Sequence, residues 1–168
     1  MDPRALVPHI PSLRRYARAL TGDAWAADDL VQDTLERACR KWRLWSLGTD
    51  LRAWLFTIMH NQFVSQRRRA PPRAMIDIDE AAHELRAVDA QRDQAVDLQR
   101  GLLLLPEDQR AVLLLVALED LSYAQVAKVL GIPAGTVMSR LSRARTRLKA
   151  LMDEAPPVAG RTALRRLK

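Results

Sequence analysis

From Ile10 to Leu151 the apolar residues recur at three- and four-residue spacing, and no segment alternates apolar and polar side chains as a half-buried strand would. That regularity restricts the chain to an all-α fold. Ile10, Leu13, Ala17 and Leu20 share one face of a first helix, and Thr21-Gly22-Asp23 supply a stop and a new N-cap. A long helix is predicted from Asp23 to about Arg43. Along it Ala27, Leu30, Val31, Leu35, Ala38 and Trp42 fall on one side, and Asp29, Gln32, Asp33 and Glu36 on the other. Leu51 to about Gln66 is apolar almost all round, as a central helix is, and Arg67-Arg68-Arg69 followed by Pro71-Pro72 closes it.

Charge divides the 168 residues into parts. Residues 1–69 carry a balance of +5 and residues 98–168 one of +6, while residues 70–97 between them carry −4. The predicted layout is two small helical domains, 1–69 and 98–152, joined by a flexible acidic linker over 70–97. A basic tail over 153–168 is expected to be disordered. Pro71 and Pro72 break helix at the start of the linker, and the acidic run Asp77 to Glu84 has little to bury, although Glu84 to Asp97 suits a loose helix.

The most informative segment is SYAQVAKVLGIPAGTVMSRLSRARTRL, Ser122 to Leu148. Ser122 with Gln125 three residues on reads as a capping box, Gly131 as the turn, and the whole as a helix-turn-helix. Val137, Leu141, Ala144, Leu148 and Leu151 form the apolar stripe of the second helix, with Thr136, Arg140, Arg143 and Arg147 on an adjoining face. From Ala134 to Lys149 there are five basic side chains and no acidic one. Such a helix suits a major groove: Arg bonds guanine bidentately, while Thr136 and Ser139 suit phosphates or base edges.

Two further features bear on partners. The acidic face of the second helix is either solvated or docks on a basic surface. Trp42, Trp45 and Trp54 crowd one segment; Trp42 and Trp54 read as core, and Trp45, in a loop beside Gly48, reads as an exposed aromatic able to stack on unpaired bases. Catalysis finds no support. His9, His60 and His83 lie in different segments without metal-ligand spacing, and no phosphate loop or nucleophile motif occurs. Cys39, the one cysteine, excludes an internal disulfide and is expected to pack. No apolar run reaches the roughly 18 residues of a membrane span, and no secretory signal opens the chain, so a soluble, cytoplasmic protein without membrane insertion is expected.

The ordered segments DDLVQDTLERACRKW, DLRAWLFTIMHNQFVSQRRR and LPEDQRAVLLLVALEDLSYAQVAKVLGIPAGTVMSRLSRARTRLK together resemble a bacterial RNA polymerase sigma factor of the extracytoplasmic-function class, with regions 2 and 4 only. The resemblance spans roughly residues 5–152. It implies that Asp29, Gln32, Asp33 and Glu36 dock on the coiled coil of the largest subunit of core RNA polymerase, with region 4 on the flap. It also implies that Trp45, Asn61, Arg67 and Arg68 serve the −10 element, and that Thr136, Ser139, Arg140, Arg143 and Arg147 read the −35 element of promoter DNA. The linker would thread toward the RNA exit path. An anti-sigma factor is the implied regulator, and no cofactor is needed. Ser65 stands where many family members carry an acidic residue, which bears on the −10 preference.

Two other readings stay open at the level of sequence. A helix-turn-helix regulator predicts a dimer on a palindromic site. An anti-sigma-binding adaptor without promoter binding predicts that Arg140 and Arg143 are dispensable.

Overall fold

The structure, a computed structural model, describes residues 2–45, 49–70 and 90–154, with no side-chain account of 90–92. The acidic run and residues 155–168 of the expected tail lie outside the described residues; Asp153 and Glu154, placed in that tail, are helical as the last residues of the helix Ala134–Glu154. Every described element is a helix, in agreement with the all-α expectation.

A short 3₁₀ helix, Pro3–His9, leads into α1, Ile10–Thr21. Gly22 ends α1 in the left-handed conformation at φ 72°, its N–H bonding the Arg18 carbonyl at 2.9 Å. Asp23 then caps α2, Ala24–Lys41, by accepting from the Trp25 N–H at 3.1 Å. The predicted helix to Arg43 tightens into a 3₁₀ turn over Trp42–Leu44. Asp50 caps α3, Leu51–Arg69, accepting from the N–H groups of Arg52 and Ala53 at 3.0 and 3.3 Å.

α4 spans Ala90–Leu104 and so crosses the boundary expected at 97/98. Over 93–97 its side chains are exposed or half-buried, and the buried positions begin at Gly101 and Leu102. α5, Glu107–Leu113, widens into a π-helical turn over Leu114–Leu118. The chain then reverses through Asp120, whose φ is 54°. α6, Tyr123–Leu130, and α7, Ala134–Glu154, complete the order.

The two halves share one core. Leu13, Tyr16 and Leu20 of α1, Leu30 of α2 and Leu55, Phe56 and Met59 of α3 join Leu102, Leu105 and the run Ala111 to Leu115 in a single buried cluster. Each fully buried Leu contributes about 1.5–3 kcal/mol. Tyr16 meets Phe56 edge to face at 5.3 Å. The hinge after α1 lies against the second half: a Cβ at Gly22 would fall 2.6 Å from Leu103 Cδ1. Two reasons, backbone and space, thus favour glycine there.

Polar groups also tie the halves. The buried Arg110 guanidinium donates to the carbonyls of Leu102 (2.7 Å), Leu103 (2.8 Å) and Leu105 (3.0 Å) at the end of α4, and to Leu20 of α1 (2.8 Å). Glu119, set by the π turn, is wholly buried. It accepts from Arg15 at 3.0 and 3.1 Å and from Arg52 at 2.8 Å, and Arg52 also reaches its carbonyl at 2.6 Å. The carboxylate holds the Arg15 guanidinium above its ordinary pKa, chiefly through these hydrogen bonds.

Candidate nucleic-acid interface

The helix-turn-helix forms as its sequence dictates. Ser122 Oγ accepts from the Gln125 N–H at 3.2 Å, and Gln125 Oε1 accepts from the Ser122 N–H at 2.9 Å, a complete capping box. Gly131, at φ 65°, makes the left-handed turn that α6 needs in order to stop. Val137, Leu141 and Ala144 of α7 are buried, with Leu148 and Leu151 packed at the core's edge. Burying that stripe turns Ser139, Arg143 and Arg147 outward, where they are exposed; Thr136 is partly covered. Arg143 is braced by its own helix: Nε donates to the Ser139 carbonyl and Nη2 to Ser139 Oγ, both at 3.3 Å. Arg140 is the exception within this set. Its Nε lies 3.5 Å from Asp108 Oδ2, and its side chain is 29% exposed.

On α3, Asn61 and Arg68 stand seven residues apart, hence on one face, and both are exposed. Arg67 is held by Glu107 Oε1 of the other half and lies 6.0 Å over the Phe63 ring. Trp45 departs from the expected exposed loop aromatic. It is half-buried, its ring 4.7 Å from that of Trp42, which in turn meets Trp54 edge to face at 6.3 Å. A large apolar ring gains more by covering Trp42 than by standing in water.

The acidic face of α2 is split. Asp29, Gln32 and Glu36 are exposed, whereas Asp33 is partly covered and accepts from Gln66 of α3 at 3.1 Å. Beside this face α1 and α2 leave an open groove of about 840 Å³ with apolar and charged walls, among them Ile10, Val31, Leu35 and Glu36. Cys39, expected to pack, lies exposed on the rim of the groove; one position past buried Ala38 rotates it 100° away from the core.

Between α3 and the second half lies a cleft of about 380 Å³, lined by His60, Phe63, Val64, Glu107, Asp108 and Arg140, among others. Burial, with Arg140 adding to it, lowers the His60 pKa from the ordinary value of 6.5. The residues that sequence reasoning missed are those across this seam: Arg15, Arg52, Glu107, Asp108 and Glu119. Only the charge of Glu119 at the end of the apolar run Val112 to Leu118 hinted at a buried carboxylate.

Comparison with known proteins decides among the readings. Residues 95–148 match the family "Sigma-70, region 4", and residues 6–60 match the "Sigma2 domain of PhyR". Over 148 residues the chain is 40% identical to the ECF RNA polymerase sigma factor EcfG of Rhodopseudomonas palustris, covering 85% of this chain and 80% of that one. The chain belongs to the ECF RNA polymerase sigma factors. SigM of Mycobacterium tuberculosis, another sigma factor of this class, is 33% identical over 144 residues, covering 86% of this chain and 73% of that one. Among solved structures, the sigma factor RpoE in complex with the anti-sigma factor NepR from Bartonella quintana matches with a TM-score of 0.71 at 32% identity, over 91% of this chain and 97% of that one. CnrH in complex with the cytosolic domain of CnrY matches with a TM-score of 0.70 at 27% identity, over 91% and 88%. As a sigma factor, the chain directs transcription initiation, and the helix-turn-helix described above lies within its region 4.

Proposed function

We propose that this sigma factor works through two modules, 1–69 and 98–152, joined by the segment 70–97, each with a separate recognition face. Asp29, Gln32 and Glu36, with Asp33 at their edge, dock on the coiled coil of the largest subunit of core RNA polymerase, and region 4 sits on the flap. Asn61 and Arg68, with Arg67 and the exposed part of Trp45, hold the −10 strand once it is unpaired. Thr136, Ser139, Arg140, Arg143 and Arg147 read the −35 duplex. Melting then draws on binding energy: each base captured out of the stack offsets an unstacking cost of about a few kcal/mol. The protein is a binding factor rather than a catalyst, working in the cytoplasm where its polymerase is.

The observation that carries this reading is the outer face of α7. Arg143 and Arg147 stand exposed on a stretch without acidic residues, held by a completed helix-turn-helix core. An anti-sigma factor is the proposed regulator, since the similar RpoE is a sigma factor in complex with the anti-sigma factor NepR. The test is gel filtration with core polymerase, followed by footprinting of a fragment from the gene's own upstream region. Wild type is expected to co-elute and to protect two patches about two helical turns apart. Glu36→Arg should abolish co-elution, and Arg143→Ala should erase the upstream patch alone. Co-elution unaffected by Glu36→Arg and by reversal of Asp29 would refute the docking face.

A further inference from the structure

Trp25, in the first turn of α2, is 87% exposed, more than any other large apolar side chain among the described residues. Trp42, Trp45 and Trp54 stack on one another, but no ring or cation among the described residues covers Trp25. Along α2, Trp25, Asp29, Gln32 and Glu36 follow one another at four-, three- and four-residue steps, so they share one exposed stripe within about 60°. From Ala24 to Glu36 the helix carries four acidic side chains and no basic one. We infer that Trp25 is an aromatic anchor of the docking face, seated on an arginine of the largest-subunit coiled coil of core RNA polymerase. The inference rests on the assignment of Asp29, Gln32 and Glu36 to that partner.

The fold itself does not ask for an indole at this position. Trp25 serves the cap only through its N–H, which donates to Asp23 Oδ1, and any residue other than proline does the same. Helix propensity favours alanine there. A tryptophan left in water forgoes the burial of about 150–250 Å² of aromatic surface, so a partner gains from covering it. The neighbours say what kind of partner fits. Residues four apart on a helix bring their Cβ atoms to about 5–6 Å, so one guanidinium can lie over the Trp25 ring while its N–H groups bond the Asp29 carboxylate. Arginine does both with one planar fork, whereas lysine offers a point charge. Four carboxylates repel a phosphate backbone, which argues against unpaired bases as the occupant. At the other end of the stripe Gln32 donates to Glu36 at 3.4 Å, and both line the groove whose walls include Val31 and Leu35. The stripe thus combines an aromatic ring, carboxylates and adjoining apolar surface. Tryptophan and arginine are the residues on which protein interfaces most often depend.

The experiment titrates fluorescently labelled full-length protein with core polymerase in the absence of DNA. Trp25→Ala is expected to weaken binding about tenfold or more, and Trp25→Phe, which keeps an aromatic face, about threefold at most. Leu44→Ala truncates another apolar side chain, 74% exposed and beyond the end of α2, and should change binding less than about twofold. Trp25 is exposed and its N–H stays in the cap, so the variants keep the fold, which thermal melting checks. Glu36→Arg tests the underlying assignment in the same titration. If Glu36→Arg loses binding while Trp25→Ala binds as wild type does, the docking face stands and the anchor is overturned. Losses from Leu44→Ala equal to those from Trp25→Ala would overturn it too, and Trp25→Phe as weak as Trp25→Ala would overturn the stacked arginine. If Glu36→Arg binds as wild type does, the docking assignment fails and the anchor with it.

Discussion

Arg110 shows how one side chain can fix the relation between two halves. Its planar guanidinium reaches four carbonyls, those of Leu102, Leu103 and Leu105 around the end of α4 and that of Leu20 on α1, where helix ends leave carbonyl capacity unused. Burial lowers its pKa, yet an arginine remains charged at any physiological pH. Lysine offers a compact ammonium with three donors and cannot span that fork. Arg110→Lys is therefore expected to cost about 2–3 kcal/mol, read from urea denaturation at constant m-value. Tyr16 presents the opposite case. It is fully buried, its hydroxyl has no hydrogen-bond partner among the described residues, and burial, reinforced by Glu119, pushes its pKa up. Removing an unpaired buried hydroxyl relieves desolvation without opening a cavity, so Tyr16→Phe should stabilise by about 1 kcal/mol. A lower denaturation midpoint for that variant would show that the hydroxyl has a partner.

Whole elements were read well where local chemistry decides them. The stop at Gly22, the caps at Asp23 and Ser122, the turn at Gly131 and the stripe on α7 all depend on neighbours within about four residues, and all form. What spacing along the chain did not show has another cause. α4 runs unbroken through the boundary expected at 97/98, and its side chains over 93–97 are exposed or half-buried. Trp45, expected exposed, folds onto Trp42, and Arg67 and Arg140 pair with Glu107 and Asp108; those partners lie across space, where spacing along the chain is silent. The acidic set was legible as a face but not in the engagement of Asp33 by Gln66. If α7 neutralises about five phosphates, log affinity of the polymerase-bound protein for the −35 duplex falls with log salt at a slope near −4 to −5 from this helix. Arg143→Ala/Arg147→Ala should make that slope shallower by about two, measured by anisotropy titration across salt.

At the scale of the molecule, the packing of the two halves carries a dependence on pH. His60 faces Arg140, with Glu107, Asp108 and Arg67 around the same cleft, and its pKa in the folded chain lies below 6.5. A depressed pKa means that the unfolded or opened chain takes up the proton more readily. The His60 contribution is thus fully present above about pH 6.5, is lost progressively as pH falls below that, and stops changing once the lowered folded pKa has been passed. Thermal melting between about pH 5 and 8 should show this loss in wild type and a flatter profile in His60→Gln. The sigma assignment itself is tested most directly by run-off transcription with core RNA polymerase on the gene's own upstream fragment. Discrete transcripts are predicted only when this protein is added, and they should vanish with Arg143→Ala/Arg147→Ala. Transcripts that persist undiminished in that variant, or none at all from a preparation shown to bind core polymerase, would contradict the account.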